Sequence, residues 1–204
     1  MWEFKIRKNN FLESDITGYY HQLYTGYKQP DNPDFLNELK NTFNDQSKYF
    51  LVEARQEVSN ILIQDIPEII RRENMSNCIC VCVPRAKALE TYYESQLMLK
   101  EGIKIAISNI KGVVDGTDCI TRIKNTLTTH LAKSSLPNDG REPYPGITID
   151  TCRIDKNIIK GNNVILIDDI YTKTVNIDED CIQALFDNGA KKVIFYAIGY
   201  TRRI

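Results

Sequence analysis

Asp168 and Asp169 stand side by side directly behind the apolar run Val164–Ile167, and Thr172 and Thr174 follow within a few residues. Two adjacent carboxylates repel each other, so their placement at one strand end points to a partner that engages both: a cation, or a set of hydroxyl donors such as a ribose diol. The loop 171–175 leads into a helix, and backbone N–H groups at such a loop and helix start form an anion site to which Thr172 and Thr174 add hydroxyls. The order acid pair, threonine loop, helix is in outline a cradle for ribose 5-phosphate. As plain structural features the aspartates would cap a turn and the threonines would start the helix, but one aspartate suffices for a turn.

The elements that must position these groups form a βαβ unit. Val164–Ile167 suits a strand buried on both faces of a parallel sheet. The segment from Asn176 reads as a helix, with Asn176 as cap, Glu179 in a box-like pattern, Ile177, Cys181 and Leu185 as a stripe, and Asn188-Gly189 as the stop. "KKVIFYAIG" is the next strand. Ligands of such sheets gather beyond the carboxyl ends of the strands, at the switch point. Earlier, 79–83 reads as a strand, 87–100 as a helix and 103–107 as a strand. Residues 1–76 read as helical: Asn32 and Pro33 open a helix towards Phe43, and apolar spacing predicts another over 48–72, which Pro67 should break or restart. "YYHQLYTGYKQP", which contains His21, reads as a helix or turn packed by its aromatics rather than as a stacking lid. The fold class expected is α/β, a parallel sheet flanked by helices (77–204) with a helical N-terminal extension (1–76).

With 26 basic and 27 acidic side chains in 204 residues, the formal charge of -1 does not indicate nucleic acid as a partner. No run approaches the roughly 20 apolar residues of a membrane span, and the first ten residues lack a signal core, so the expectation is a cytoplasmic protein with no membrane partner. Six cysteines lie mostly in apolar runs. Cys78, Cys80 and Cys82 share one face of a strand as small core residues, without CxxC spacing for a metal. His130, alone in its segment, reads as structural or solvent-facing.

"VILIDDIYTKT" followed by a helix and "GAKKVIFYAIG" resembles the phosphoribosyl-diphosphate (PRPP) motif of type I phosphoribosyltransferases. "CICVCVPRAKA" resembles that family's first core strand and pyrophosphate loop, and the arrangement from "TRIKNT" to "GITIDTCRIDKNIIKGNNVILIDD" is similar to the ComF-type branch. The resemblance covers about residues 77–203; residues 1–76 match no known pattern, and the zinc segment common in ComF-type proteins is absent. It implies a Mg2+-dependent glycosyltransferase that binds PRPP, transfers its phosphoribosyl group to an acceptor and releases pyrophosphate, with a homodimer among the expected assemblies. Asp168 and Asp169 would hold the ribose hydroxyls and the metal, and Thr172, Lys173, Thr174 and Val175 the 5-phosphate. Pro84, Arg85 and Lys87 would contact pyrophosphate. Arg122, Lys124 and Arg141 would lie on a hood over the site, or else be solvated loop charges.

The chain departs from the family pattern in three places. Thr174 and Val175 stand where glycine and threonine are usual, removing the easiest route to a positive φ. Asp178, Glu179 and Asp180 fill the first helical turn and weaken its pull on phosphate. Thr172 stands where purine-type members often carry an acid. A non-catalytic ribose-phosphate sensor or interaction module of a competence or regulatory type is therefore the first alternative, and an N-glycosidic hydrolase the second.

Overall fold

The computed structural model describes residues 1–128, 146–147 and 150–202; His130 and Arg141 lie outside them. A six-stranded sheet is built from β1 (Trp2–Ile6), β2 (Ile16–Tyr24), β3 (Cys78–Cys82), β4 (Val113–Asp115), β7 (Asn163–Tyr171) and β8 (Lys192–Thr201), in the order β1-β2-β8-β7-β3-β4. Every neighbouring pair is parallel except β1 with β2. A second, antiparallel ribbon joins β5 (Ile120–Arg122) to β6 (Cys152–Ile154). The architecture is α/β, as the alternating patterns predict.

Helices cover both faces. α1 (Phe35–Lys40), α2 (Lys48–Arg72) and α3 (Met98–Ser108) lie on one, burying Val58, Leu62, Ile66 and Ile103 against Cys78, Cys80, Cys82, Ile165 and Ile167. Each such apolar side chain contributes about 1.5–3 kcal/mol through burial. The other face carries α5 (Ile177–Asp187) and the ribbon, with Cys181, Ile182 and Leu185 packed on Val164, Leu166 and Phe195. A short α4 (Lys156–Ile159) precedes β7, its Asp155 cap accepting the Asn157 N–H. All six cysteines are buried and free, and those of β3 share the α2-facing side. Among the described residues no helix is long and apolar enough to cross a membrane.

Four local expectations are corrected. Residues 1–76 do not form a purely helical extension: β1 and β2 extend the main sheet, and "ITGYYHQLY" is a strand because it pairs with β8. Pro67 lies inside α2 without ending it; the ring is on the exposed side, where the unpaired carbonyl one turn earlier can be solvated. The segment 87–100 is not one helix but two single 3-10 turns, Leu89–Thr91 and Glu94–Gln96, followed by the start of α3 at Met98, because side chains engage its backbone: the Lys87 N–H donates to the Tyr92 hydroxyl and the Ala88 N–H to Asn125. Residues 103–107 belong to α3, not to a strand; Gly102 lets α3 approach α2 so closely that a Cβ there would lie 2.9 Å from the Arg55 carbonyl oxygen.

Two polar ties join α2 to the sheet. Asp65 accepts the Tyr196 hydroxyl at 2.7 Å and lies 2.9 Å from His21 Nδ1. Glu73 accepts from Tyr19 and from Lys192, both at 2.7 Å. Burial pushes each carboxyl up, but these partners outweigh it and hold Asp65 and Glu73 below the usual carboxylate range.

Candidate functional site

The chain leaves β3 towards β4 on one side and β7 towards β8 on the other, so the crevice at the carboxyl ends of β3 and β7 is the topological switch point of the sheet. The last bond across it runs from the Val83 N–H to the Ile167 carbonyl, 3.0 Å. Beyond that point β7 continues as Asp168–Tyr171, paired only with β8, and its β3-facing edge opens. The acid pair therefore lies within the strand, just past the end of its neighbour, rather than after the strand.

Strict alternation would put Ile170 on the α5 face with Leu166. Instead Ile170 packs with Ile165 and Ile167 on the α2 face, while Tyr171 joins the α5 face. The register with β8 is unchanged through this point, Asp168 opposite Ala197 and Tyr171 opposite Tyr200, so the side chains change faces without an inserted residue. Asp168 Oδ1 accepts the Asp169 N–H at 2.8 Å and Asp169 Oδ1 accepts the Ile170 N–H at 2.7 Å, which holds both carboxyls against the strand.

The phosphate-loop candidates follow. Val175 donates its N–H to the Thr172 carbonyl at 2.9 Å, closing a turn, and the Thr172 hydroxyl meets that of Thr201 at 2.7 Å. Lys173 and Thr174 are exposed. The positive φ that glycine would supply is taken at Asn176 (φ 62°, ψ 9°), asparagine being the residue after glycine most tolerant of that region. Asn176 does not cap α5 with its side chain, contrary to the sequence pattern; its Oδ1 accepts from Asn9 at 3.2 Å. Nor does Glu179 close a box: it accepts the Tyr171 hydroxyl at 2.9 Å.

The acids of the first turn are drawn inward. Asp178 is 4% exposed and Glu179 2%, and one oxygen of each, Asp178 Oδ1 and Glu179 Oε2, has no hydrogen-bond partner. Burial first, then the charges of Asp178 and Asp169, push Asp168 far above the usual carboxylate range. Asp178 is also raised, chiefly by burial. The two carboxyls lie close enough to bear on one another's protonation. Sequence reading placed Asp178 only as a dipole partner of the helix; its contact with Asp168 depends on how α5 packs back onto β7.

On the β3 side the cations converge. A cavity of about 60 Å³ is lined by Pro84, Arg85, Lys87, Tyr92, Lys100 and Arg122, among others. Asp168, Asp169 and residues 172–175 lie outside its lining. The structure therefore groups Pro84, Arg85, Lys87 and Arg122 in one hollow and the acid pair with its threonine loop on the adjoining strand. The buried Cys82 thiol reports their proximity: it is pushed up to about 12 by burial and then by Asp168 and Asp169, against the opposing charges of Lys100 and Arg85.

The cations are engaged by backbone. Arg85 stacks on Tyr92 at 4.7 Å and donates to the carbonyls of Gln96 (2.6 Å), Lys40 and Leu39 (3.4 Å), closing the end of α1. Lys87 donates to the Thr126 carbonyl at 2.9 Å. Arg122 is neither on an open loop nor solvated: it is 3% exposed in β5 and donates to the carbonyls of Arg85 (2.7 Å) and Gly146 (2.9 Å). Lys124 is exposed. Lys100, which sequence reading passed over, lines the hollow and forms an ion pair with Asp118.

Magnesium takes oxygen ligands and is commonly held by one or two carboxylates plus substrate phosphates. Asp168 and Asp169 supply that chemistry, whereas among the described residues no group of three or more His, Cys, Asp or Glu side chains is arranged to hold a metal ion by itself. No protein-family model matches the chain, and no curated protein matches it.

Proposed function

We propose that the chain binds PRPP with Mg2+ at the β3–β7 crevice and transfers the phosphoribosyl group to an acceptor, releasing pyrophosphate. One observation carries this reading: at the switch point, the loop bearing Arg85 and Lys87 and the strand end bearing Asp168 and Asp169 emerge side by side from paired strands. On this reading the acids would meet the ribose hydroxyls and metal, and the cations the pyrophosphate. Magnesium would supply charge neutralisation of the leaving group. Lys87 and Arg85 would add to it if a ligand drew them off their carbonyls, an electrostatic contribution that grows as the leaving group separates.

A second reading, a ribose-phosphate sensor without turnover, is favoured by two features. The hollow of about 60 Å³ is small beside the roughly 300–1,000 Å³ of ordinary ligand pockets, and its arginines already bond to carbonyls. In addition, Asp178 places a further carboxyl against Asp168, where it opposes phosphate.

Incubation of the protein with PRPP and Mg2+, with pyrophosphate as the readout across a panel of nucleobases, nucleotides and amides, separates the two. Transfer requires pyrophosphate release that is lost in both Asp168→Asn and Asp169→Asn. Thermal stabilisation by PRPP with no pyrophosphate release supports the sensor. Absence of both effects rejects a ribose-phosphate site.

A further inference from the structure

The outer edge of β1 is unpaired. Trp2–Ile6 bonds only to β2, and among the described residues no other backbone group pairs with it. Exposed edges invite strand addition, and a lysine on the edge is one usual protection. Here Lys5 is accompanied by Glu3 on the same face, because side chains two apart in a strand point the same way. Neither has an ion-pair partner among the described residues; Lys5 Nζ donates to Thr17 Oγ1 across the β1–β2 ladder at 2.8 Å. On the opposite face Phe4 lies in an aromatic cluster with Tyr171 (5.0 Å) and Tyr200 (4.9 Å), while Trp2 is 65% exposed.

We propose that β1 pairs antiparallel with β1 of a second copy of this chain, about a two-fold axis through Phe4, joining two six-stranded sheets into one. The charge order Glu3-Phe4-Lys5 selects this partner and this register. Antiparallel pairing centred on Phe4 sets Glu3 opposite the partner's Lys5 and Lys5 opposite the partner's Glu3. Centring on Glu3 or on Lys5 would instead set like charges face to face. Opposite charges directly across a ladder stabilise it and like charges destabilise it. The contact is self-complementary, as a two-fold interface requires. This inference is independent of the ribose-phosphate reading.

The test is sedimentation across a concentration series for the wild type, Glu3→Lys, Lys5→Glu and the double swap. The wild type is expected to dimerise. Each single substitution turns two attractive pairs into repulsive ones and should weaken dimerisation by about tenfold or more. The swap restores it, and an equimolar mixture of the two single variants forms a heterodimer tighter than either variant alone. Circular dichroism checks that Lys5→Glu, which loses the Thr17 bond, remains folded; a mere folding defect would not be rescued by mixing. A monomeric wild type, single variants that dimerise like the wild type, or a mixture without rescue would each overturn the proposal.

Discussion

Asp168 on β7 and Asp178 in the first turn of α5 bring their carboxyls together where the β3-facing edge of β7 opens, and burial first, then their neighbours' charges, raise both. Both carboxyls have raised folded-state values, so the folded protein binds more protons than the unfolded chain between the unfolded value of about 3.9 and the folded values. Stability contributed by these groups is therefore full at low pH and falls as pH rises from there towards their folded values. Asp178→Asn keeps the shape, offers Asp168 a permanent donor and removes one of the two titrations. Its melting temperature is expected to exceed the wild type's by about 2–8 °C at neutral pH, equivalent to about 1–2 kcal/mol, with the gap closing near pH 4. Scanning calorimetry across that range checks it; parallel wild-type and variant curves would refute the raised carboxyls.

The Asp65 tie has the opposite sign. Its carboxyl is held low in the folded state by His21 and Tyr196 against the effect of burial, so its contribution is full above the unfolded value and fades as pH falls through the folded one. Tyr196→Phe leaves a buried carboxylate short of a donor and should cost about 1–3 kcal/mol at neutral pH, with a smaller loss in acid. Urea melts at two pH values measure this.

Arg85 closes the end of α1 through the carbonyls of Leu39 and Lys40 and ties it to the carbonyl of Gln96. Arg85→Ala should therefore lower stability by about 2–3 kcal/mol without PRPP. Arg85→Lys should recover only part of it, since an ammonium cannot reproduce the planar fork or the stacking on Tyr92. A variant as stable as the wild type would show that the guanidinium is not structural.

The turn before α5 depends on Asn176 in the left-handed region. Asn176→Ala should cost about 0.5–1.5 kcal/mol, because alanine keeps the Cβ that disfavours this region but loses the polar side chain that offsets it and the bond from Asn9. Asn176→Gly should be near neutral while loosening the threonine loop. Denaturant midpoints of the two variants, compared directly, give the result; equal losses would contradict the assigned conformation.

Much of the centre of this fold is legible in sequence because its signals are local. The uninterrupted run Val164–Ile167 marks a strand buried on both faces, the stripe Ile177, Cys181 and Leu185 marks α5, and "KKVIFYAIG" marks β8. The same run places Asp168 and Asp169 beyond the buried part of the strand, but that β7 continues through them to Tyr171 is set by its pairing with β8. What tertiary structure decided depends on residues far apart in the chain. "ITGYYHQLY" is a strand because β8, about 180 residues later, offers it a parallel partner, and Gly18 within it leaves space for the Phe4 ring, which a Cβ would meet at 2.6 Å. Residues 103–107 carry an apolar run that suits strand or helix, and contact with α2 selects helix. Arg85 and Arg122 look like ligand-binding charges in sequence, but in the fold they satisfy carbonyls at the ends of other elements. Asp178 reads as a surface acid at a helix start until α5 turns it against Asp168. Periodicity records which side of an element is apolar; which charge lies against which other is set only when those sides close on one another.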